Sequence, residues 1–354
     1  MPTQTTPDNA PHLPDLFALA DGKRVRHAGQ WPQRRAELAA LLLHHLYGPL
    51  PEAPHAVLCE ALHCSHLGKA DARLAGARLL SLRLQCVGST APPISLQVWL
   101  PPDRPGEAPR WPVVLSGDGC WHNATDEVKV QILSRGHALA LFNRVELAAD
   151  PATGPGRRAP TAHESFAGLG ALAVWAWGYQ RCVDGLLQMP FIEPQQIAVV
   201  GHSRGGKAAL LAGALDERIA LTSANNSGAA GAGSALCLGP GAETLANVVL
   251  GFPQWFGPNA TALAKALADR EGPAPLDMHF LLALVAPRAL LTTEALDDAW
   301  ANPPGTQRSH AAAREVFGFL GAQDRLAMHC RPGGHAHSLV DWIALLDFAD
   351  RLWR

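Results

Sequence analysis

The sequence predicts an α/β protein built on a doubly wound, mostly parallel sheet, with an antiparallel hairpin ahead of it. Three observations carry that prediction. From residue 111 onward, short apolar runs alternate with helix-length segments for about two hundred residues. One of those runs, Ile197-Ala-Val-Val, is apolar at every position, as a strand covered on both faces requires. Hydrophobic residues make up 48% of the chain and charged residues 17%, enough apolar surface for a large two-sided core.

The elements follow in order. Residues 1–15 are polar and proline-rich and read as a disordered lead-in, with 16–354 as a single domain. Residues 33–46 combine good helix formers with helical spacing of apolar positions. Strand-like runs at 79–86 and 94–100, split by a Gly-Ser-Thr-Ala-Pro-Pro turn, make the hairpin. A strand at 112–116 runs into Ser116-Gly-Asp-Gly, followed by a helix at 125–135, a strand at 137–142 and a loop at 143–164 rich in proline and glycine. A long buried helix over 166–187 precedes the strand at 197–200. Further strands are predicted at 219–224, 289–293 and 326–330, and a closing helix at 339–352. The stretch 228–275 breaks this rhythm and reads as an insertion at the mouth of a site.

Composition excludes several classes. A net charge of −2 without a basic run argues against nucleic acid or an acidic membrane surface as partner. No run of about 18 apolar residues is present, so no membrane span is predicted, and the polar start lacks the apolar core of a signal peptide. The expectation is a cytoplasmic protein, or an exported one if a signal has been removed. Seven cysteines scattered through a chain of this size read as reduced, mostly buried thiols. His63, Cys64 and His66 lie close together, but no second ligand pair follows at zinc-site spacing, so no metal is predicted.

The chemistry is concentrated after the 197–200 strand. Gly201-His-Ser-Arg-Gly contains Gly-x-Ser-x-Gly between a strand and a helix, the context in which this motif makes a nucleophile elbow and marks the α/β-hydrolase fold. The turn is sharp and strained, so Gly201 and Gly205 must lack side chains. It lifts the Ser203 hydroxyl above the sheet edge and aims the Arg204 backbone N–H at the oxygen that becomes negative in acyl transfer. The Ser116-Gly-Asp-Gly-Cys-Trp loop stands where a second oxyanion donor is normally found.

Serine needs a base, and the fold's chain order is Ser, acid, His. Cys330-Arg-Pro-Gly-Gly-His-Ala-His-Ser lies between a strand and the final helix. It offers His335, favoured because two glycines permit a tight approach, with His337 as competitor. The acid is sought in Thr292-Thr-Glu-Ala-Leu-Asp-Asp-Ala-Trp: Asp298 is the choice, Asp297 and Glu294 the alternatives. An Asp pair of this kind also suits the cap of a turn or helix.

At Gly201-His-Ser-Arg-Gly-Gly-Lys the elbow ceases to be generic. It resembles the glucuronoyl esterase family of carbohydrate esterases, whose elbow reads Gly-Cys/His-Ser-Arg-x-Gly-Lys. Agreement continues in order at Trp175-Ala-Trp-Gly, Asn225-Asn-Ser-Gly, Phe252-Pro-Gln-Trp-Phe, Ala286-Pro-Arg, Trp300-Ala-Asn-Pro and Arg331-Pro-Gly-Gly-His. The likeness spans residues 15–354 and is closest to bacterial members. It implies hydrolysis of glucuronic acid esters, with the Arg204 guanidinium helping to hold the oxyanion. It further implies that Lys207 hydrogen-bonds sugar hydroxyls and that Glu243 and Trp300 line the sugar site. Fungal members carry a catalytic Glu in the segment that here reads Asn225-Asn-Ser, and an acidic sugar ligand near Phe252 that is absent here.

The reading is therefore a serine esterase with a Ser203–His335–Asp298 triad, acting on a carbohydrate or small-molecule ester without metal or organic cofactor. The alternatives are a general carboxylesterase, acetyl esterase or lactonase on the same machinery, and a non-catalytic binding protein on a hydrolase scaffold.

Overall fold

A computed structural model describes residues 11–67, 72–102, 110–150, 164–269 and 272–353. Residues 1–10 of the expected lead-in and 151–163 of the expected loop lie outside the described residues. Among the described residues nine strands form one sheet: β1 (Ala56–His66), β2 (Arg78–Val87), β3 (Ile94–Leu100), β4 (Trp111–Ser116), β5 (Ala138–Phe142), β6 (Ile192–His202), β7 (Leu221–Asn225), β8 (Ala289–Ala295) and β9 (Leu326–Arg331). Their spatial order is β1-β2-β3-β5-β4-β6-β7-β8-β9. The pairs β1–β2, β2–β3 and β3–β5 are antiparallel. From β5 onward every neighbouring pair is parallel.

The alternation of side chains along each strand divides the interior into two cores. Val113, Leu115, Ile197 and Val199 face one side, with the helices Ala171–Leu186 and Arg204–Leu215. Val114, Ala198 and Val200 face the other, with Asp126–Ser134 and Leu339–Trp353. This two-sided cover is why the central strand reads as continuously apolar. From β4 the chain passes to β5 on one side and then returns across β4 to β6 on the other. The winding reverses at that point, which opens a crevice beyond the carboxyl ends of β4 and β6.

Several elements depart from the sequence-based expectation. The buried helix starts at Ala171 rather than 166, because Gly170 is pressed against backbone: a Cβ there would lie 2.8 Å from the carbonyl oxygens of Trp255 and Tyr47. Strand β1 was not anticipated. It is an edge strand in which Val57 is the one fully buried position, so no period of two was selected. The helix Pro303–Phe319 was also not anticipated, although Asn302 caps it through Gly305 N and proline occupies its first position. The lead-in expected to run to residue 15 is already anchored at its end. The carbonyls of Pro14 and Asp15 accept from His279 and Arg34, both at 2.9 Å.

All seven cysteines are free thiols. His63, Cys64 and His66 lie along the edge strand β1. No helix among the described residues is long and apolar enough to cross a membrane.

Candidate active site

The elbow sits where β6 ends and the helix Arg204–Leu215 begins. Ser203 has φ 56° and ψ −121°, a strained conformation for any residue with a side chain. The glycine requirement has two distinct sources. A Cβ on Gly201 would lie 2.1 Å from the carbonyl oxygen of Gly205, and a Cβ on Gly205 would lie 2.2 Å from the Asp118 carboxylate.

His335 Nε2 is 2.9 Å from Ser203 Oγ, and its Nδ1 is 2.5 Å from Asp298 Oδ2. A carboxylate only accepts, so Nδ1 carries the proton and Nε2 is left to receive the serine hydroxyl's. Asp298 is buried, and its other oxygen caps the turn Ala299–Ala301 by accepting from Ala301 N. The cap and the bond to His335 thus use one carboxylate. Asp297 Oδ2 accepts instead from Gly333 N at 2.6 Å and clasps the loop that carries His335. Glu294 is fully buried on β8, and burial, opposed by the Thr306 hydroxyl, pushes its carboxyl up to about 8. His337 is not aimed at Ser203. It stacks between His202 and Trp342, with ring centroids 5.7 and 4.4 Å away, and burial holds it well below the ordinary imidazole range.

The two asparagines in place of the fungal glutamate brace the same region. Asn225 Nδ2 donates to Thr293 Oγ1 at 2.8 Å, which turns its Oδ1 toward His202 Nδ1 at 2.5 Å. Asn226 accepts from Ala295 N at 2.7 Å and donates to the Ala336 carbonyl at 3.2 Å, tying the end of β8 to the histidine loop. Sequence reasoning treated this pair only as a missing acid. Nothing local in the sequence reveals that they bridge three separate loops.

Arg204 projects into a cleft of about 270 Å³ lined by Trp121, Asn123, Arg144, His202, Ser203, Arg204 and His335. Its guanidinium donates to Asp150 Oδ1 at 3.0 Å and lies 5.0 Å above the Trp255 ring. In the 117–121 loop the amides of Gly117, Asp118 and Trp121 are engaged by Tyr179 Oη, Ser116 Oγ and the Asp118 carbonyl. Asp118, Arg144 and Asp150 were missed by sequence reasoning. Asp118 lay in the loop singled out for its glycines, but its carboxylate had no evident partner.

Lys207, Glu243 and Trp300 come together, although more than thirty residues separate each from the next. Lys207 Nζ is buried and donates to the carbonyls of Ser227 (2.7 Å) and Ala229 (2.5 Å), with Glu243 Oε2 at 3.4 Å. Glu243 Oε1 accepts from Trp300 Nε1 at 3.1 Å. An ammonium has three hydrogens, and these three partners are all protein groups. Burial lowers the lysine's affinity for its proton, and the Glu243 carboxylate opposes that effect. Trp300 is the member of this cluster that faces solvent, at 55% exposure.

Comparison with known proteins identifies the family. A family model described as glucuronyl esterase of fungi matches residues 89–321. The chain is 31% identical to a 4-O-methyl-glucuronoyl methylesterase of Phanerochaete chrysosporium, over 92% of this chain and 65% of that protein. It is also similar to the structure of a carbohydrate esterase family 15 glucuronoyl esterase from Caldicellulosiruptor kristjansonii. That match has a TM-score of 0.78 and 30% identity, over 98% of this chain and 91% of that one. A mutant glucuronoyl esterase from Sporotrichum thermophile in complex with methyl 4-O-methyl-β-D-glucopyranuronate matches with a TM-score of 0.74 and 26% identity, over 96% of this chain and 86% of that one. With the elbow, the parallel sheet and these matches in agreement, the chain belongs to the glucuronoyl esterase family of α/β-hydrolase-fold carbohydrate esterases.

Proposed function

We propose that this chain hydrolyses esters of glucuronic acid through a Ser203–His335–Asp298 triad and an acyl-enzyme. The observation that carries the reading is the continuous hydrogen-bonded line from Ser203 Oγ through His335 to Asp298, at 2.9 and 2.5 Å. Ser203 Oγ attacks the ester carbonyl while His335 Nε2 takes its proton. Asp298 holds the Nδ1–H tautomer and stabilises the imidazolium that forms. The tetrahedral oxyanion is held by the Arg204 backbone N–H at the helix start and by the Arg204 guanidinium. His335 then gives its proton to the departing alcohol. Water, deprotonated by the same imidazole, attacks the acyl-serine and releases the uronate.

The acidic-sugar half of the reading rests on the family and on the Lys207–Glu243–Trp300 cluster. With Lys207 spending its hydrogens inside the protein, the ring of Trp300 is the group that covers the sugar, held by Glu243 at its Nε1–H with Lys207 behind that carboxylate. We read 16–354 as one catalytic domain in which 228–275 forms the insertion at the mouth. Phe252 and Trp255, which lie under the Arg204 guanidinium, support that reading.

The test compares a methyl ester of glucuronic acid with a simple acetate ester. The expected result is a higher kcat/KM for the glucuronate, and no turnover of either by Ser203→Ala. Preference for the acetate would assign the chain to the general carboxylesterases.

A further inference from the structure

A second line of charged groups runs around the elbow, separate from the triad. Asp118, on the loop after β4, accepts from the His202 backbone N–H at 2.9 Å and from Arg144 Nε at 3.0 Å. Arg144 Nη1 also donates to Asp150 Oδ2 at 3.2 Å. The other oxygen of Asp150 accepts from Arg204 Nη1 at 3.0 Å. The line therefore leaves the chain one residue before Ser203 and rejoins it one residue after. Its charges alternate and cancel. The side chains of Asp118, Arg144 and Asp150 are at most 2% exposed, whereas that of Arg204 is 30% exposed.

Stability alone does not account for such an arrangement, because buried ion pairs are matched or bettered by well-packed apolar groups. What the arrangement supplies is direction. A guanidinium is a flat fork with five N–H donors. Asp150 takes a donor of the Arg204 fork, and the face lies over Trp255 at 5.0 Å and Phe252 at 5.5 Å. The Asp150 carboxylate cannot turn to follow Arg204, since its second oxygen is held by Arg144. Arg144 in turn is fixed by Asp118 and lies 4.2 Å over the Trp175 ring. A donor that is already aimed stabilises a developing oxyanion without reorganising when the charge appears.

We propose that Asp150, backed by Arg144, is a positioning residue that aims the Arg204 guanidinium at the oxyanion. This rests on the oxyanion role given to Arg204 above. The test is a double-mutant cycle on a methyl glucuronate ester, with Asp150→Asn, Arg204→Ala and the double variant. Rates are counted per Ser203 labelled by an organophosphonate, so that only folded sites contribute. Asp150→Asn is expected to lower kcat about 10- to 100-fold with KM changed less than about threefold, and to lower it less than about twofold further once Arg204 is Ala. Asp150→Glu keeps the charge balance, and with it the fold, while moving the carboxylate by one methylene. It is expected to show the same dependence on Arg204. An equal fall in both backgrounds overturns the positioning role and leaves that of Arg204 standing. Full turnover in Arg204→Ala overturns the guanidinium's role and this inference with it, whereas failure of Ser203 to label overturns the hydrolase reading itself.

Discussion

Asp298 reaches His335 Nδ1 at 2.5 Å, while its neighbour Asp297 turns the other way and accepts from Gly333 N at 2.6 Å. One carboxylate faces the imidazole and the other faces the backbone of the loop that carries it. Their substitutions therefore separate. Asp298→Asn loses the tautomer control and is expected to lower kcat about 10³- to 10⁴-fold. Asp297→Asn weakens one loop hydrogen bond and is expected to lower it less than about tenfold. Steady-state kinetics on a glucuronate ester decide the matter, and similar losses in both variants would place the acid elsewhere.

Ser203 holds a backbone conformation that suits glycine, with φ 56° and ψ −121°. Such strain costs about 1–3 kcal/mol, against about 0.5–1 kcal/mol for the extra unfolded-state freedom of glycine. Ser203→Gly should therefore be inactive yet melt about 1–2 °C higher by calorimetry. A lower melting temperature would show that the surroundings have relaxed around the nucleophile.

Lys207 and Glu243 form a buried ion pair at 3.4 Å. Lys207→Met leaves Glu243 without its counter-charge and the Ser227 and Ala229 carbonyls without their donor, at a cost of about 3–5 kcal/mol in urea unfolding. Adding Glu243→Gln removes the uncompensated charge and should recover about 1 kcal/mol or more. Strict additivity would mean that the two side chains do not act as a pair.

Glu294 is one group through which stability should depend on pH. Its folded carboxyl lies near 8, above its ordinary value of 4.5. Below pH 4.5 both states hold the proton, and the group has no effect on stability. Between there and about 8 only the folded state holds it, so rising pH favours unfolding by about 1.4 kcal/mol per unit from this group. Glu294→Gln should match the wild type near pH 4 and gain on it steadily toward pH 8. Parallel stability curves across that range would contradict the raised value.

Much of this site was legible because its signals are local. The elbow announces itself within seven residues, although only Gly201 is demanded by a contact inside the turn, while Gly205 is demanded by the Asp118 carboxylate on the loop after β4. The histidine loop is marked by Gly333, whose φ of 96° favours glycine, whereas a Cβ on Gly334 would meet open space. Choosing among Glu294, Asp297 and Asp298 was harder, because the three differ by direction rather than by type. Strand alternation and a capping turn set those directions: Glu294 points into the core, and Asp298 lies just past the end of β8.

From the residues alone the alternating α/β pattern, the strand–turn–helix around Ser203 and the family likeness can be read, because each is carried by residue types that the local backbone constrains. The side-chain partners emerge only in three dimensions: Asp298 beside His335, Lys207 against Ser227, Ala229 and Glu243, and Asp150 and Arg144 behind Arg204. Those relationships join residues up to 54 positions apart on loops that the sheet brings together at its carboxyl edge. A carboxylate or an ammonium looks the same in sequence whatever it faces, and its partner is chosen by how the chain winds.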